Sequence, residues 1–381
     1  VKSACVRSVP LKSRRKRSWL CSSLTMSDLR GLYIHVPFCL RKCPYCDFYS
    51  VPGEEALRAD YAAAVVRNLR NYHERFDTVY FGGGTPNLIA THMAEILGAV
   101  AIAPGAEVSS ECNPASTAPE TLELLRNAGV NRISVGVQSL QDNELQKLGR
   151  LHDAAQAEGL IRSAHEAGFD NISADVMLGI PGQTAASLTD TIERLAELPV
   201  QHISAYMLTL EPATPFGKSP PKDMADDDLM ADLYALCQRL CGEHGFAQYE
   251  ISNFARGGFQ CRHNLKYWRD EEYLGVGAAA HSFYGGKRYA VPRDIRAFIS
   301  AETQPVEVTD DSPGDYDEQV MMRMRLAEGI PEELYKPLEK ALRLLPEEYY
   351  TLKNGRLALT AEGFPVYNYI VSLLLAHREE T

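Results

Sequence analysis

The sequence predicts an α/β protein, a partial (β/α)6 barrel followed by a C-terminal α+β accessory domain that is winged-helix-like. Between residues 28 and 245, short runs rich in β-branched residues alternate six times with helical patterns. This alternation is typical of parallel strands joined by right-handed crossovers. Beyond residue 245 it stops, and glycine and aromatic residues dominate as far as Tyr289. Because eight units close a full barrel, six indicate an open one.

The predicted strands and helices follow one another in strict alternation. The strands are predicted at Leu32–Val36, Thr78–Phe81, Glu107–Ser110, Arg132–Val137, Asn171–Met177 and His202–Leu210. The helices are predicted at Glu54–His73, His92–Val100, Pro119–Asn127, Ala154–Ala167, Ala185–Leu195 and Asp226–Gly242. Gly129 and Gly168 directly follow two of these helices, where a helix end favours glycine. In such a barrel, functional side chains gather at the C-terminal ends of the strands.

Residues 246–381 are predicted to form the accessory domain. Helical segments at 315–326 and 331–344 precede a hairpin that turns at Asn354-Gly355, and a last helix spans 365–375. Helices followed by a short hairpin and another helix are typical of a winged-helix module. Such modules often bind DNA, so the charge of the chain becomes relevant.

The chain of 381 residues has a formal net charge of −11 that is unevenly distributed. Residues 1–25 hold seven basic residues and no acidic one, so removing those seven positive charges leaves −18 on the remainder. An acidic body disfavours binding to a phosphate backbone, and we expect no nucleic-acid partner. No run of 18 apolar residues predicts a membrane span.

Residues 1–27 form a basic, Ser-rich leader that is left out of the predicted fold. Three interpretations stay open for it: a mitochondrial transit peptide, a basic arm, or sequence upstream of a true start at Met26. Nine cysteines, an odd number, indicate a reducing compartment rather than a disulfide framework. The expected location is the cytoplasm, or the mitochondrial matrix if the leader is a genuine transit peptide.

Cys39, Cys43 and Cys46 form a C-x3-C-x2-C run just beyond the first predicted strand. Soft thiolates select iron–sulfur clusters or zinc, and three of them in so short a loop can surround one side of a cluster. Structural zinc would need a fourth ligand with its own paired spacing, whereas Cys112 and Cys261 are isolated. Three ligands on a four-iron cluster leave one iron open for a substrate or cofactor.

Polar or glycine-rich motifs end the next strands. Gly83, Gly84 and Thr85 follow the second strand, where missing side chains leave backbone amides and carbonyls free to hold a charged amino-acid group. Later strands end in or contain Glu111, Gln138 and Asp175. Acids can accept from ribose hydroxyls or an ammonium group, and an amide can both donate and accept. Taken singly, each of these residues is equally well explained as part of a loop.

The chain resembles the radical S-adenosylmethionine (SAM) superfamily. The resemblance is carried by the segment from Gly31 to Cys39, the cysteine run and the glycine turn. More narrowly, the chain from about Gly31 to its C-terminus resembles the group that contains oxygen-independent coproporphyrinogen III oxidase and the haem chaperone HemW. The resemblance implies a radical SAM barrel with a [4Fe–4S] cluster on the three cysteines of the run and SAM on the open iron. It also implies one-electron cleavage of SAM to a 5′-deoxyadenosyl radical.

The resemblance further implies which residues contact SAM. Gly83, Gly84 and Thr85 match the motif that holds the SAM amino group. The other matching positions are Tyr33, Glu111, Gln138, Arg150 and Asp175, and Tyr45 matches a cofactor-stacking aromatic residue of the oxidase. No catalytic residue is assigned.

Two features separate the branches of this group. The oxidase has a fourth cysteine two residues after the third, where this chain has Phe48, so decarboxylation of coproporphyrinogen is disfavoured. The run His263–Trp268 matches the H-N-x-x-Y-W motif of the haem chaperones, which makes His263 a candidate haem ligand. His281, in the small-residue run 275–282, is a second candidate.

The resemblance therefore implies a haem chaperone that binds haem, the cluster and SAM, and passes haem to an unidentified acceptor protein. Peripheral membrane recruitment would go through a partner, because no lipid-directed segment is visible. One alternative is a coproporphyrinogen III dehydrogenase or another radical SAM enzyme of porphyrin metabolism, because the SAM motifs are intact. Another, a zinc-stabilised DNA-binding protein, is disfavoured by the acidic body. Whether the chain is an enzyme stays open at this point.

Overall fold

A computed structural model describes residues 29–379, and the predicted leader, residues 1–27, lies outside them. The central element is one 12-stranded sheet, whose middle consists of six parallel strands in chain order. These strands are β1 (Leu29–Val36), β2 (Arg75–Gly83), β3 (Ala101–Cys112), β4 (Arg132–Gln138), β5 (Ile172–Leu178) and β6 (His202–Met207). All six predicted strands are confirmed.

Each parallel strand leads into a helical connection. The helices are α1 (Glu55–Leu69), α2 (Ala90–Gly98), α3 (Pro119–Ala128), α4 (Asp142–Lys147), α5 (Ala154–Glu166), α6 (Ala185–Glu197), α7 (Pro215–Lys218) and α8 (Asp227–Glu243). Gly129 and Gly168 follow α3 and α5 with φ of 106° and 89°, left-handed conformations that only glycine adopts at little cost. The short helices α4 and α7 were not predicted.

Strands from beyond residue 245 extend both edges of this sheet, so the barrel stays open. At one edge β6 pairs antiparallel with β8 (Asn253–Ala255), which pairs with β7 (Ala247–Glu250). At the other, β1 pairs in parallel with β9 (Tyr273–Val276), and β10 (His281–Tyr284), β11 (Lys287–Ala290) and β12 (Glu307–Asp310) follow antiparallel. The sheet is thus continuous across residue 245, and a domain boundary there stays a prediction.

The remaining elements include two that flank the added strands and a compact C-terminal group. Between β8 and β9 lies α9 (Arg262–Trp268), and α10 (Ile295–Ser300) lies between β11 and β12. The C-terminal group consists of α11 (Tyr316–Arg323), β13 (Ile330–Pro331), α12 (Glu332–Tyr335), α13 (Glu339–Leu342), β14 (Tyr350–Lys353), β15 (Arg356–Leu359) and α14 (Tyr367–Ala376). Its three strands pair in the order β13-β15-β14, which confirms the winged-helix-like arrangement.

Successive side chains along β1 face alternately the hydrophobic core and the candidate site. In β1, Leu32, Ile34 and Val36 are fully buried in the hydrophobic core, whereas Tyr33 and His35 face a cavity on the other side of the strand. The sheet therefore carries a packed outer face and a polar inner one. Within residues 29–379, no helix combines the length and apolarity that crossing a bilayer requires.

Candidate cofactor site at the strand ends

The C-terminal ends of the parallel strands surround a cavity of about 890 Å³. This volume lies in the upper part of the range of small-molecule sites, about 300–1,000 Å³. The cavity gathers every predicted SAM-contacting residue and all three cysteines of the run. Its lining includes Tyr33, Cys39, Cys43, Tyr45, Cys46, Gly83, Gly84, Thr85, Glu111, Gln138, Arg150, Asp175 and His281. His263 does not line it.

The cysteine loop presents three half-buried thiols to this cavity. Thr85 Oγ1 donates to Cys39 Sγ at 3.6 Å, and Arg150 Nη1 donates to Cys43 Sγ at 3.9 Å. Burial raises the pKa of the Cys46 thiol. Hydrogen bonds from these two donors would hold the Cys39 and Cys43 sulfurs in place when they bind iron.

The spacing of these thiols bears on the choice between zinc and a cluster. Across residues 29–379, no three His, Cys, Asp or Glu side chains approach closely enough to share one metal ion. A structural zinc ion requires four ligands on a single centre. In a [4Fe–4S] cluster each thiolate binds a different iron, so its sulfurs stand farther apart. Three thiols at one cavity match the three protein ligands that a [4Fe–4S] cluster with one open iron would take.

The glycine turn is locked against the start of the cysteine loop. Gly84 N donates to Val36 O at 2.9 Å, and a Cβ on Gly84 would lie 2.5 Å from Phe38 O. Gly83 has φ of 113°, and a Cβ there would lie 2.6 Å from the His35 ring. Both glycines are thus required by packing as well as by any ligand, because they bring the turn and the loop into one fixed unit.

Two half-buried carboxyl groups, Glu111 and Asp175, face the cavity. Glu111 accepts from the Tyr80 hydroxyl at 3.2 Å and from Gly83 N at 3.3 Å, and Asp175 accepts from Ser134 Oγ at 3.0 Å. Burial, together with the nearby Asp175, raises the pKa of Glu111 to about 8. Burial likewise raises the pKa of Asp175 to about 6. A cationic ligand between them would stabilise both in their ionised form.

Arg150 ties the fourth strand to the cysteine loop. Besides Cys43, its guanidinium donates to Gly136 O at 2.8 Å, and a Cβ on Gly136 would lie 3.2 Å from it. Gln138, at the end of β4, has φ of 67°, an uncommon backbone conformation for a residue other than glycine. Tyr45 packs beside Phe216 of α7, with ring centroids 6.4 Å apart.

His263 lies on α9 and is fully buried against β2. Its Nδ1 lies 2.8 Å from Thr78 Oγ1 and its Nε2 lies 2.7 Å from the Tyr267 hydroxyl, and its ring stacks on Tyr80. Burial lowers the pKa of His263 to about 3, so the ring is neutral. Because both nitrogens are in hydrogen bonds, binding iron would require breaking one of them. Its role as a haem ligand stays a prediction, and this conformation does not favour it.

Glu107 is an anchor of α9 that the sequence reasoning missed. Its buried carboxylate accepts from the backbone N–H groups of Arg262 and His263, both at 3.1 Å, in the first turn of α9. A carboxylate at this position satisfies donors that a helix start leaves without partners. The alternation of Glu107, Ser109 and Glu111 places all three on the inner face of β3, and this pattern could have indicated it.

A second wall of the cavity comes from residues 264–293. Its lining residues are Asn264, Tyr267, Tyr273, Ala279, His281 and Arg293. Two histidines line the described cavity, His35 and His281. The buried His35 ring lies 3.0 Å from the Tyr33 hydroxyl and 3.1 Å from Tyr49 O, so both of its nitrogens are engaged. The His281 ring is exposed, beside Ala279, whose φ is 71°.

Comparisons with known proteins agree with this geometry. Residues 33–195 match the Radical SAM superfamily. The haem chaperone HemW of Haemophilus influenzae is 35% identical over 326 residues, which cover 80% of this chain and 85% of that protein. HemW of Mycobacterium tuberculosis is 33% identical over 372 residues, covering 91% and 94%. Among solved structures, coproporphyrinogen III oxidase (HemN) from Escherichia coli superposes with a TM-score of 0.77 at 19% identity, covering 91% of this chain and 90% of that one.

The superposition on coproporphyrinogen III oxidase shows the fold alone, because the sequence identity is only 19%. The identity with the chaperones extends over most of their length, beyond the barrel and into the C-terminal residues. The resemblance seen in the sequence is thereby confirmed. The chain belongs to the haem chaperone HemW family of the radical SAM superfamily.

Proposed function

We propose that the chain is a haem chaperone that binds one [4Fe–4S] cluster, SAM and haem, and passes haem to an acceptor protein. The observation that carries the proposal is the identity of 33–35% with haem chaperones over 85–94% of their length. Phe48 in place of a fourth cysteine supports the same choice. We expect the protein to work in the cytoplasm, with any membrane recruitment provided by a partner.

The cluster would be held by Cys39, Cys43 and Cys46. These residues fit it because their thiols face one cavity and two of them accept from Thr85 and Arg150. When bound, the cluster supplies the electron that the superfamily uses to cleave SAM. The protein's own contribution is to hold the loop rigidly, through Gly84 and Arg150, and to offset the negative charge on the sulfurs.

SAM would lie across the ends of β2 to β5. It carries an ammonium and a sulfonium charge, and the half-buried Glu111 and Asp175 offer carboxylates that a cation would keep ionised. The turn at Gly83–Thr85 would hold the amino-acid end, next to Gln138 and Arg150. Tyr33 and Tyr45 provide apolar surface with polar edges on either side.

Haem would occupy the second wall, with His281 as the iron ligand in preference to His263. The His281 ring is exposed at the cavity, whereas His263 is buried with both nitrogens bonded. Large apolar side chains stand exposed at the same cavity: Phe48 at 66%, Tyr206 at 43% and Met207 at 40%. Exposed apolar surface around a cavity mouth suits a flat macrocycle that must enter and leave.

Haem titration of anaerobically reconstituted protein tests the proposal. We expect the wild type to shift the Soret band and His281→Ala to bind haem at least about tenfold more weakly with an altered band, because an axial ligand is lost. His263→Ala should keep the wild-type band while lowering the free energy of unfolding. The reverse result would return the ligand to His263, and a wild type with no Soret shift would refute a haem chaperone.

The alternative of coproporphyrinogen III oxidation is decided by anaerobic turnover with SAM, a reductant and coproporphyrinogen. We expect no protoporphyrinogen. Its formation at a rate comparable with haem binding and release would replace the chaperone proposal.

A further inference from the structure

Arg293 stands at the second wall of the cavity, directly after the hairpin that carries His281. Val291 N donates to Ala280 O at 2.8 Å and Ala279 N donates to Pro292 O at 3.2 Å, so the backbone before Arg293 is tied to the backbone before His281. On its other side, Asp294 caps α10. The Arg293 backbone is therefore fixed, while 61% of its side chain is exposed.

Four basic residues line the cavity, and three of them belong to the cysteine loop side. Arg150 is held by Cys43 and Gly136, Arg41 donates to Gly149 O, and Lys42 lies within the loop itself. Arg293 is the basic residue of the described lining that shares a wall with His281. Both residues line the same cavity as His35, whose pKa is lowered to about 4 by burial and further by the charge of Arg293.

The partner of Arg293 is easily replaced. Its Nη2 lies 3.3 Å from Asp47 Oδ2, and both side chains are largely exposed, at 61% and 41%. Exposed ion pairs of this kind contribute little to stability. A guanidinium binds carboxylates through a planar fork of donors, so another carboxylate can take the place of Asp47.

We propose that Arg293 binds a haem propionate, with Asp47 as the group that the propionate displaces. The inference rests on the proposed haem site and adds an orientation to it. Haem carries its two carboxylates along one edge, so an arginine beside the iron ligand would set which edge faces the cavity mouth. Because one carboxylate replaces another, the guanidinium is paired both with and without haem. The desolvation free energy of an unpaired charge is therefore avoided when haem binds and when it leaves.

The test compares haem with its dimethyl ester, in which both propionates are neutral. We expect Arg293→Gln to weaken haem binding about tenfold, the usual loss for a charge-assisted hydrogen bond, and to leave binding of the ester unchanged. The wild type should bind the ester about as weakly as the variant binds haem. The matched control is Arg296→Gln, an exposed arginine of α10 outside the cavity lining, which should bind both ligands as the wild type does.

Two further measurements make the result unambiguous. Asp47→Asn should bind haem more tightly, because it removes the competing carboxylate, and iron and sulfide contents are compared because Asp47 follows Cys46. The role of Arg293 would be overturned if Arg293→Gln weakened the binding of haem and of the ester equally, or weakened neither. It would also be overturned if Asp47→Asn bound haem more weakly while keeping a normal iron content. A wild type that gives no Soret shift with either ligand would instead refute the proposed function.

Discussion

The two walls of the cavity differ in how firmly their side chains are held. On the cluster wall, Glu111 and Arg150 are half-buried and each makes two internal hydrogen bonds. On the second wall, His281 and Arg293 are exposed, and the ion pair of Arg293 with Asp47 is easily exchanged. A wall fixed by internal hydrogen bonds is preorganised for a ligand that stays, whereas exposed side chains with replaceable partners suit a ligand that has to leave.

The largest expected effect comes from removing one thiol, because it should abolish binding on the cluster wall and leave haem binding on the second wall. We expect Cys43→Ala to lose nearly all cluster iron and all SAM binding, because two thiolates cannot hold a four-iron cluster that normally has three protein ligands here. Haem should still shift the Soret band, since His281 belongs to the other wall. Iron and sulfide analysis, SAM binding and haem titration measure the three properties. Loss of the haem-induced shift in a folded variant would contradict the division into two walls.

The rigidity of the cluster wall can be tested at a glycine. Gly84→Ala should lower the free energy of unfolding by about 1–3 kcal/mol, because its Cβ would lie 2.5 Å from the backbone oxygen of Phe38. The matched control is Gly98→Ala at the end of α2, where an added Cβ meets nothing within 4 Å. Denaturant unfolding of both variants gives the comparison. Equal stabilities would show that the turn can shift, and that this wall is not fixed.

The most gradual of the expected effects is a pH dependence of SAM binding on the cluster wall. The pKa of Glu111 is raised to about 8 by burial and by Asp175, while Arg132 opposes the rise. SAM should bind more tightly as the pH rises from 6 to 8, by up to about tenfold per unit, because its positive charges require the ionised carboxylate. Calorimetric titration should show the trend in the wild type and lose it in Glu111→Gln. An affinity independent of pH would place the cation elsewhere.

The same shift has the opposite sign for the stability of the protein without ligand. Since the folded state holds the Glu111 proton more tightly than the unfolded chain, its contribution to stability is fully present below about pH 4.5 and is lost as the pH rises through 8.

Much of the fold could be predicted because each barrel unit carries its own local signals. The β-branched runs, the glycines after α3 and α5 and the Asn354-Gly355 turn specify local conformation, and the structure contains all of them. The pairing of β9 with β1 could not be predicted, because it joins segments about 240 residues apart and no local pattern encodes the partner of an edge strand.

The candidate site likewise has a part that could be predicted from the sequence and a part that could not. The residues of the cluster wall end successive strands, so their meeting follows from a parallel sheet. The depth of His263 does not follow from its motif, because its burial depends on Thr78, 185 residues away, and on the fold of α9 around Glu107. The importance of Arg293 was equally hidden, since a lone arginine after a hairpin has no distinctive sequence context.

The parallel pairing of β9 with β1 also has a thermodynamic consequence. β1 leads into the cysteine loop at its end and has the second wall beside it, so any shift of β1 that improves one ligand's fit changes the other's. Linkage makes such an effect reciprocal: the factor by which SAM changes haem affinity equals the factor by which haem changes SAM affinity. An acceptor that removes haem would then, through a single strand, also alter how tightly the chaperone retains its nucleoside cofactor.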